Sequence, residues 1–204
     1  MDAHGWDERY AAVDRVWSRE PNQFVAASLA GLTPGNALDL ACGEGRNALW
    51  LASLGWRVTA IDFSQVAVER GRRLAEDSGV EVDWRVDDVL TAALPEVDLV
   101  LLAYLQLPED QRRDAVRRAW RCLRSGGTFL LVAHDTTNLT EGTGGPQDAT
   151  VLYSAADVLA DLEYDDEIDV VRAERVARVV AGEDDHGGTA DRVAWDALVH
   201  LVRR

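Results

Sequence analysis

The most constraining feature of this chain is a glycine turn between two apolar segments, the second of which ends in an acid. The first segment and its turn are ALDLACGEGRN (residues 37–47), and the second segment is RVTAID (residues 57–62). This pattern predicts a buried strand, a tight turn, the start of a helix near Gly45 and a second strand. Glycines let the backbone approach a ligand closely, and the free N–H groups at a helix start face that ligand. Asp62 follows Gly43 by 19 residues, which suits an acid that binds ribose hydroxyls, so we expect a nucleoside-cofactor site.

Composition excludes several classes of function. The chain has 204 residues, enough for one domain with a buried core. Its formal net charge of −15 argues against binding to a nucleic-acid backbone or to an anionic membrane. The sequence contains arginine but no lysine, which excludes lysine Schiff-base chemistry and a phosphate-binding Walker lysine. We therefore expect a small-molecule substrate, with no nucleic-acid and no membrane partner.

The cellular setting is predicted from three weaker signals. Cys42 and Cys122 lie far apart and favour neither a disulfide framework nor a zinc site. The N-terminus lacks the basic-then-apolar pattern of a secretory leader, and no apolar run has the length of a membrane span. We expect a cytoplasmic protein that is a monomer or a homodimer.

Apolar strands alternate with amphipathic helices along most of the chain. The expected helices cover residues 7–18, 22–32, 45–54, 64–78, 109–123 and 154–162, and the expected strands cover residues 36–41, 57–61, 81–86, 97–103, 127–133, 166–180 and 192–202. Capping signals support these limits: Pro21 is expected in the first turn of its helix, Ser64 and Gly79 cap another, and Gly126 and Gly127 end a third. The alternation predicts an α/β class fold, a Rossmann-like seven-stranded sheet in which five parallel strands precede an antiparallel C-terminal hairpin, with helices on both faces.

We divide the expected single domain, residues 1–204, into four parts. These are an N-terminal helical cap segment (1–34), a cofactor-binding core (36–133), a loop (135–150) and the C-terminal hairpin (166–204). The loop follows the carboxyl end of a parallel strand, where open α/β sheets bind ligands. Its length without secondary structure indicates either disorder or a lid that covers the substrate, and its position after a parallel strand favours the lid.

Asp39 distinguishes between two nucleoside cofactors. In a strand that binds a nicotinamide dinucleotide, the residues before the glycines are apolar because a carboxylate would repel the pyrophosphate. S-adenosylmethionine has no phosphate and carries an ammonium group and a sulfonium, so an acid at this position attracts it. Asp39 therefore favours S-adenosylmethionine as the cofactor, with S-adenosylhomocysteine as the product.

Residues 36–133 resemble the class I S-adenosylmethionine-dependent methyltransferases, and the segments LDLACGEGRNA and VTAIDFS are most similar to their tellurite-resistance-type branch. The resemblance implies cofactor contacts from the methionine to the adenine end, made by Asp39, Ala41, Gly43, Gly45, Asp62, Phe63, Asp88, Val89 and Ala103. Arg46 and Asn47 are further matches to the branch. Ala41 departs from the pattern, since the family usually has its first glycine there, and its methyl group narrows the space for the cofactor.

Several of these residues also have a purely structural interpretation. Either Asp87 or Asp88 could be an ordinary solvated strand end, Phe63 could be a core residue, and Arg46 could pair with Glu44. In the N-terminal segment, Tyr10 and Trp17 are expected to form walls of the cofactor pocket, and the alternative is that both are core aromatics.

The acceptor side is predicted from the loop and the strand before it. Methyl transfer from a sulfonium is an in-line displacement that depends mainly on alignment of the reactants. A base is needed only for an acceptor that arrives protonated, and His134 is the candidate catalytic base, unless the loop backbone satisfies it. Tyr104, Asn138 and Gly145 are the other expected substrate contacts, and Tyr104 could instead be a core aromatic. The remaining histidines share no spacing with His134, so no metal site is expected.

These observations predict an enzyme that transfers a methyl group from S-adenosylmethionine to a small-molecule acceptor. A non-catalytic protein that binds S-adenosylmethionine is the alternative. A nicotinamide-dependent oxidoreductase is disfavoured by Asp39 and by the lack of residues for a second domain.

Overall fold

The computed structural model describes residues 3–12, 20–163, 166–183 and 189–204. Its helices are α1 (Ala3–Ala11), α2 (Gln23–Leu29), α3 (Arg46–Ser53), α4 (Gln65–Ser78), α5 (Glu109–Arg121), α6 (Asn138–Glu141) and α7 (Ala155–Asp161), with a 3₁₀ turn at Ala149–Val151. Its strands are β1 (Asn36–Leu40), β2 (Arg57–Asp62), β3 (Val82–Val86), β4 (Val97–Ala103), β5 (Leu123–His134), β6 (Ile168–Glu183) and β7 (Thr189–Arg203).

All seven strands form one sheet in the order β3-β2-β1-β4-β5-β7-β6. The first five strands of the chain pair in parallel, and β7 pairs antiparallel to both β5 and β6. Apolar residues of α2, α3 and α4 pack on one face of the sheet, and those of α5 and α7 pack on the other. The predicted Rossmann-like fold with its C-terminal hairpin is confirmed.

Several helix boundaries differ from the sequence-based expectation, and two of these differences have a clear cause. Helix α2 starts after Asn22, whose side chain accepts hydrogen bonds from the next backbone N–H groups, so Pro21 precedes the cap and lies outside the first turn. Helix α5 ends before Cys122, and Gly126 and Gly127 lie inside β5. The strand begins early because Leu123 already pairs with Val97 of β4.

The composition of residues 135–150 predicts a loop without secondary structure, but the structure shows otherwise. The segment contains α6, and the 3₁₀ turn begins near its end. Asn138 stabilises this conformation because its side-chain amide donates to the backbone oxygens of Gly144 (2.6 Å) and Thr143 (3.5 Å).

At the other end of the chain, α1 begins four residues earlier than predicted, and residues 13–18 of that expected helix lie outside the described residues.

Both cysteines are free thiols. None of the helices in the described ranges combines the length and the apolar character that a bilayer span requires.

Trp84 of β3 shows how the sheet and its helices fit together. Its indole ring is buried against the backbone of Gly45, at the start of α3, and of Gly71, in the middle of α4. A β-carbon on either glycine would overlap the ring. Gly71 therefore permits close packing of α4 on β3, although glycine is a poor residue for a helix interior.

We expect Gly71→Ala to reduce the free energy of unfolding by about 1 to 3 kcal/mol, because the added methyl group overpacks the Trp84 site. This sign is opposite to the gain of about 1 kcal/mol that alanine normally brings to a helix interior. Urea denaturation followed by circular dichroism measures the change. Gly31→Ala is the matched control, since a β-carbon there has no neighbour within 4 Å, and it should leave stability unchanged or raise it. A more stable Gly71→Ala protein would contradict the packing described above.

Candidate active site

The glycine turn that connects β1 to α3 lies at the carboxyl end of the sheet. Ala41, Gly43 and Gly45 all have positive φ angles, of 56°, 56° and 78°. The left-handed conformation costs a non-glycine residue about 1 to 2 kcal/mol. A glycine at position 41 would therefore be favoured by backbone conformation, whereas the sequence alone suggested only a steric effect of the alanine methyl group.

Asp39 is the most unusual residue of this turn. It is 1% exposed, it comes from the face of β1 that packs on α3, and neither of its carboxylate oxygens has a hydrogen-bond partner among the described residues. Burial, reinforced by the nearby charge of Asp62, raises the pKa of Asp39 from 3.8 to about 7. Arg46 and the backbone N–H of Ala48 oppose this shift, but neither forms a hydrogen bond of normal geometry with the carboxylate. An unpaired buried carboxylate is costly, so this site is suited to a cationic ligand.

Asp62 lies beside Asp39 at the end of β2 but is anchored differently. One of its oxygens accepts from the backbone N–H of Gly43 (2.8 Å) and the other from that of Ser64 (2.9 Å). Burial raises its pKa, and these two hydrogen bonds oppose the rise. Each oxygen keeps a free lone pair, so the carboxylate can still accept from a ligand hydroxyl.

Helix α1 packs across this end of the sheet. Asp7 accepts hydrogen bonds from the Ser64 hydroxyl (2.5 Å) and the Val66 backbone N–H (3.2 Å), and so it caps the start of α4 from another element. Tyr10 is buried and lies close enough to Arg46 to affect its pKa. The expected role of Tyr10 as a wall of the cofactor pocket stays a prediction, and Trp17 lies outside the described residues.

The residues predicted to meet an adenine ring lie after β2 and β3. Phe63 is half-buried, and within the described part of the chain it belongs to neither of the two core clusters. Asp88 is exposed and accepts from the Leu90 backbone N–H (2.9 Å), while Val89 is a core residue whose carbonyl accepts from Arg118 (3.1 Å). This turn is thus held rigidly by α5 while its acid stays accessible.

Two predicted residues of the α3 region, and their neighbour Glu44, have clear structural partners. Gly45 leaves room for Trp84, as described above. The Asn47 side chain accepts from the Asn22 backbone N–H (2.9 Å), so it positions the start of α2. Glu44 pairs with Arg70 at 3.1 Å.

A second polar cluster lies at the ends of β4 and β5, and we call it the Tyr104 cluster. It consists of Asn22, Tyr104, His134, Arg178 and Asp196. The Tyr104 hydroxyl donates to Asp196 (2.8 Å) and accepts from Asn22 (3.1 Å), while its ring lies 4.8 Å from that of His134. Tyr104 has a φ of 62°, which is rare for a bulky residue and typical of functional sites.

The charged members of the Tyr104 cluster come from the C-terminal hairpin. Asp196 is fully buried, and Arg178 donates to both of its oxygens, at 2.7 and 3.4 Å. His134 pairs directly with Asp196 in the register of β5 and β7, which brings its Nδ1 within 3.3 Å of an Asp196 oxygen. Asn22, Arg178 and Asp196 were not predicted from the sequence. The one available signal was a single acid in the apolar run VAWDALVHLV (residues 193–202).

The predicted lid residues reach this cluster to different extents. Gly145 packs on His134, because a β-carbon at Gly145 would lie 2.9 Å from the imidazole Cγ. Asn138 is buried, and both ends of its amide bind backbone groups, including the Trp195 N–H (2.9 Å). Ala103, a predicted cofactor contact, is half-buried and packs against the core.

The two polar groups are chemically different. Arg46 lies within electrostatic range of both, since Asp39 and Tyr104 each raise its pKa. One side offers two carboxylates to a cation with hydroxyl groups, and the other offers an imidazole and a phenol to a second reactant. Within the residues that the structure describes, no group of three His, Cys, Asp or Glu side chains could hold a metal ion.

Comparison with known proteins agrees with this geometry. A family model described as a methyltransferase domain matches residues 37–127. A ubiquinone biosynthesis O-methyltransferase from Methylobacterium is 33% identical over 111 residues, which are 53% of this chain and 43% of the relative. A tRNA 5-carboxymethoxyuridine methyltransferase from Escherichia coli is 31% identical over 108 residues, which are 50% of this chain and 41% of the relative. The chain thus spans less than half the length of these curated relatives.

Solved structures extend the similarity beyond the matched domain. The crystal structure of TehB from Haemophilus influenzae superposes with a TM-score of 0.75 at 16% identity, covering 97% of this chain and 66% of that one. At this identity the similarity establishes the fold, which includes the C-terminal hairpin. Residues 37–127 are thus similar to a methyltransferase domain, and nearly the whole chain shares the fold of the TehB structure.

Proposed function

We propose that this protein binds S-adenosylmethionine through the acids of β1 and β2 and transfers its methyl group to a small-molecule acceptor held at the Tyr104 cluster. The observation that carries the proposal is Asp39, a buried carboxylate whose oxygens have no hydrogen-bond partner in the described residues. A cation is the ligand that relieves this cost. A phosphate-containing cofactor such as NAD would add a negative charge beside Asp39 and Asp62, and is therefore disfavoured.

The other cofactor contacts follow from the same geometry. Asp39 would hold the ammonium group, and Asp62, fixed by two backbone N–H groups, would accept from the ribose hydroxyls. Phe63 would pack on the adenine ring, which would also meet the turn at Asp88 and Val89. When bound, the cofactor supplies an electrophilic methyl group on a sulfonium. Neighbouring α1 would help to exclude water from this end of the pocket.

The acceptor would lie between the Tyr104 cluster and the segment that contains Gly145. Alignment of the two reactants accounts for much of the catalysis in such a displacement. His134 would serve as base for a protonated acceptor. A small molecule is favoured over RNA because the chain has a net charge of −15 and no lysine, and RNA binding depends on basic surface. The similarity to the O-methyltransferase relative supports a small acceptor.

The first test changes Asp39 and follows two properties with opposite expected signs. Asp39→Asn should weaken binding of S-adenosylmethionine by about 1 to 3 kcal/mol, since a charged hydrogen bond is lost. The same variant should raise the free energy of unfolding above pH 7 by about 1 to 4 kcal/mol, because it removes a buried charge. Calorimetry with the purified protein measures the affinity, and urea denaturation measures the stability.

The sign of the stability change follows from the raised pKa of Asp39. Below its ordinary pKa of 3.8 the carboxyl is neutral in both states and costs nothing, whereas above about 7 it is charged in the folded state and the full cost is present. The gain in Asp39→Asn should therefore disappear near pH 4. Asp98→Asn is the control, because hydrogen bonds from Asn36 and Arg124 lower the pKa of Asp98, and its loss should not stabilise the protein. Unchanged affinity in Asp39→Asn would overturn the cofactor assignment.

The affinity of the wild-type protein for S-adenosylmethionine should depend on pH. Only the ionised form of Asp39 attracts an ammonium group, so affinity should increase by up to about 20-fold between about pH 5.5 and about pH 7.5. Asp39→Asn should lose most of this dependence. Calorimetry across the pH range checks both curves. A wild-type affinity that is flat over this range would place the ammonium group away from Asp39.

The second part of the proposal, turnover, requires an acceptor assay. We expect at least one member of a panel of phenols, thiols, amines and selenite to yield S-adenosylhomocysteine, detected by mass spectrometry. Asp39→Asn protein is the control for contaminating enzymes, and should give a lower rate with the same acceptor. Tight cofactor binding without product from any acceptor would favour the non-catalytic alternative.

A further inference from the structure

Asp196 is the residue around which the acceptor side is organised. It is a carboxylate with no exposed surface, and the side chains of Tyr104, His134 and Arg178 contact it. One oxygen accepts from the Tyr104 hydroxyl (2.8 Å) and from Arg178 Nε (2.7 Å). The other oxygen lies 3.4 Å from Arg178 Nη2 and 3.3 Å from His134 Nδ1. Burial alone would raise the pKa of Asp196, but these three partners hold it below its ordinary value.

The imidazole of His134 is fixed against this carboxylate. Its backbone N–H donates to the side chain of Gln106 (2.9 Å), and its ring contacts that of Tyr104. Gly145 packs so closely on the imidazole that a β-carbon on Gly145 would overlap it. Nδ1 is buried and has no hydrogen-bond partner of good geometry among the described residues. The nearest ionised oxygen is that of Asp196, and a small rotation of the ring would complete the bond. Nε2 is then the nitrogen that remains to meet an acceptor.

We propose that Asp196 is a positioning residue, which holds neutral His134 in the tautomer with its proton on Nδ1 and so leaves Nε2 free to take a proton from a hydroxyl acceptor. This inference rests on the proposed methyl transfer. The acceptor O–H bond breaks as its proton moves to Nε2, while an oxygen lone pair forms the bond to the methyl carbon and the carbon–sulfur bond breaks. The imidazolium, stabilised by Asp196, then releases its proton to solvent.

The pair also indicates the class of acceptor. A thiolate, an oxyanion or a reduced metalloid needs no base, whereas an alcohol or a phenol does. Among the described residues, the ionisable groups that contact His134 or its neighbour Asp196 include Tyr104, which follows β4, Arg178 from β6 and Asp196 from β7. Of these, only Asp196 carries negative charge at neutral pH, and Arg178 already balances part of it. The arrangement therefore suits a neutral hydroxyl compound.

The geometry of Asp196 predicts what an isosteric change would do. In Asp196→Asn, the amide oxygen should occupy the position that accepts from both Tyr104 and Arg178. The NH₂ group then faces His134 Nδ1 and donates to it, which forces the proton of neutral imidazole onto Nε2. The same logic applies in the Ser-His-Asp triad, where Asp→Asn gives the wrong tautomer with the geometry intact.

Nitrogen-15 NMR of the histidine rings tests this directly, on the full chain with and without S-adenosylmethionine and at a pH where all histidines are neutral. The four histidines are assigned by the signals missing in single His→Gln variants. In the wild-type protein, His134 should show a protonated Nδ1 and an unprotonated Nε2, and Asp196→Asn should exchange the two. Tyr104→Phe is the matched control, because it removes a donor to Asp196 but keeps the carboxylate, and it should preserve the wild-type tautomer.

Each outcome decides the proposal. A wild-type His134 with its proton on Nε2 overturns it, even where Asp196→Asn fails to fold. An Nδ1 tautomer that persists in folded Asp196→Asn protein also overturns it. Failure of the proposed function is seen separately, as absence of S-adenosylmethionine binding in calorimetry.

Discussion

A buried carboxylate of β1 that has no hydrogen-bond partner among the described residues is the constraint on which the rest of the site depends. Burying Asp39 costs stability, because the folded protein must either keep a proton on it up to about pH 7 or hold a desolvated charge. The strand–turn–helix unit of β1 and α3 encloses Asp39 and keeps it buried. The left-handed Ala41 and the packing of Trp84 on Gly45 and Gly71 fix that geometry. Stability is thus reduced at the position where a cationic ligand would restore it.

The cofactor side could be predicted from the sequence because its signals are local. Asp39, Gly43 and Gly45 lie within seven residues, and Asp62 follows at a fixed spacing, so the strand–turn–helix pattern brings them together without knowledge of the rest of the chain. The seven-stranded fold was predictable for the same reason, because apolar strands and amphipathic helices alternate along the sequence. The errors fell at element ends, such as Gly126 and Gly127 within β5, where pairing of Leu123 with Val97 extends the strand.

The acceptor side could be predicted only in part. His134 and Tyr104 follow strands that the sequence reveals, but Asp196 and Arg178 reach them through the register of a long hairpin. A shift of that register by one residue would move Asp196 to the opposite face of the sheet. Asn22 reaches the cluster from the N-cap of α2, and its partner Tyr104 lies more than 80 residues away in the sequence. Such contacts depend on tertiary structure, and no local pattern encodes them.

Asp39 and Asp196 are two buried carboxylates of one site with opposite environments. Asp39 has no hydrogen-bond partner in the described residues and a raised pKa, whereas Asp196 has three partners and a lowered pKa. A carboxylate that lacks partners gains most from a ligand, and one whose partners are already in place gains little. The first is therefore suited to binding a cation, and the second to holding protein groups in position. Environments that separate the pKa values of like groups assign different roles to them, and this difference supports the proposed division of the site into a cofactor side and an acceptor side.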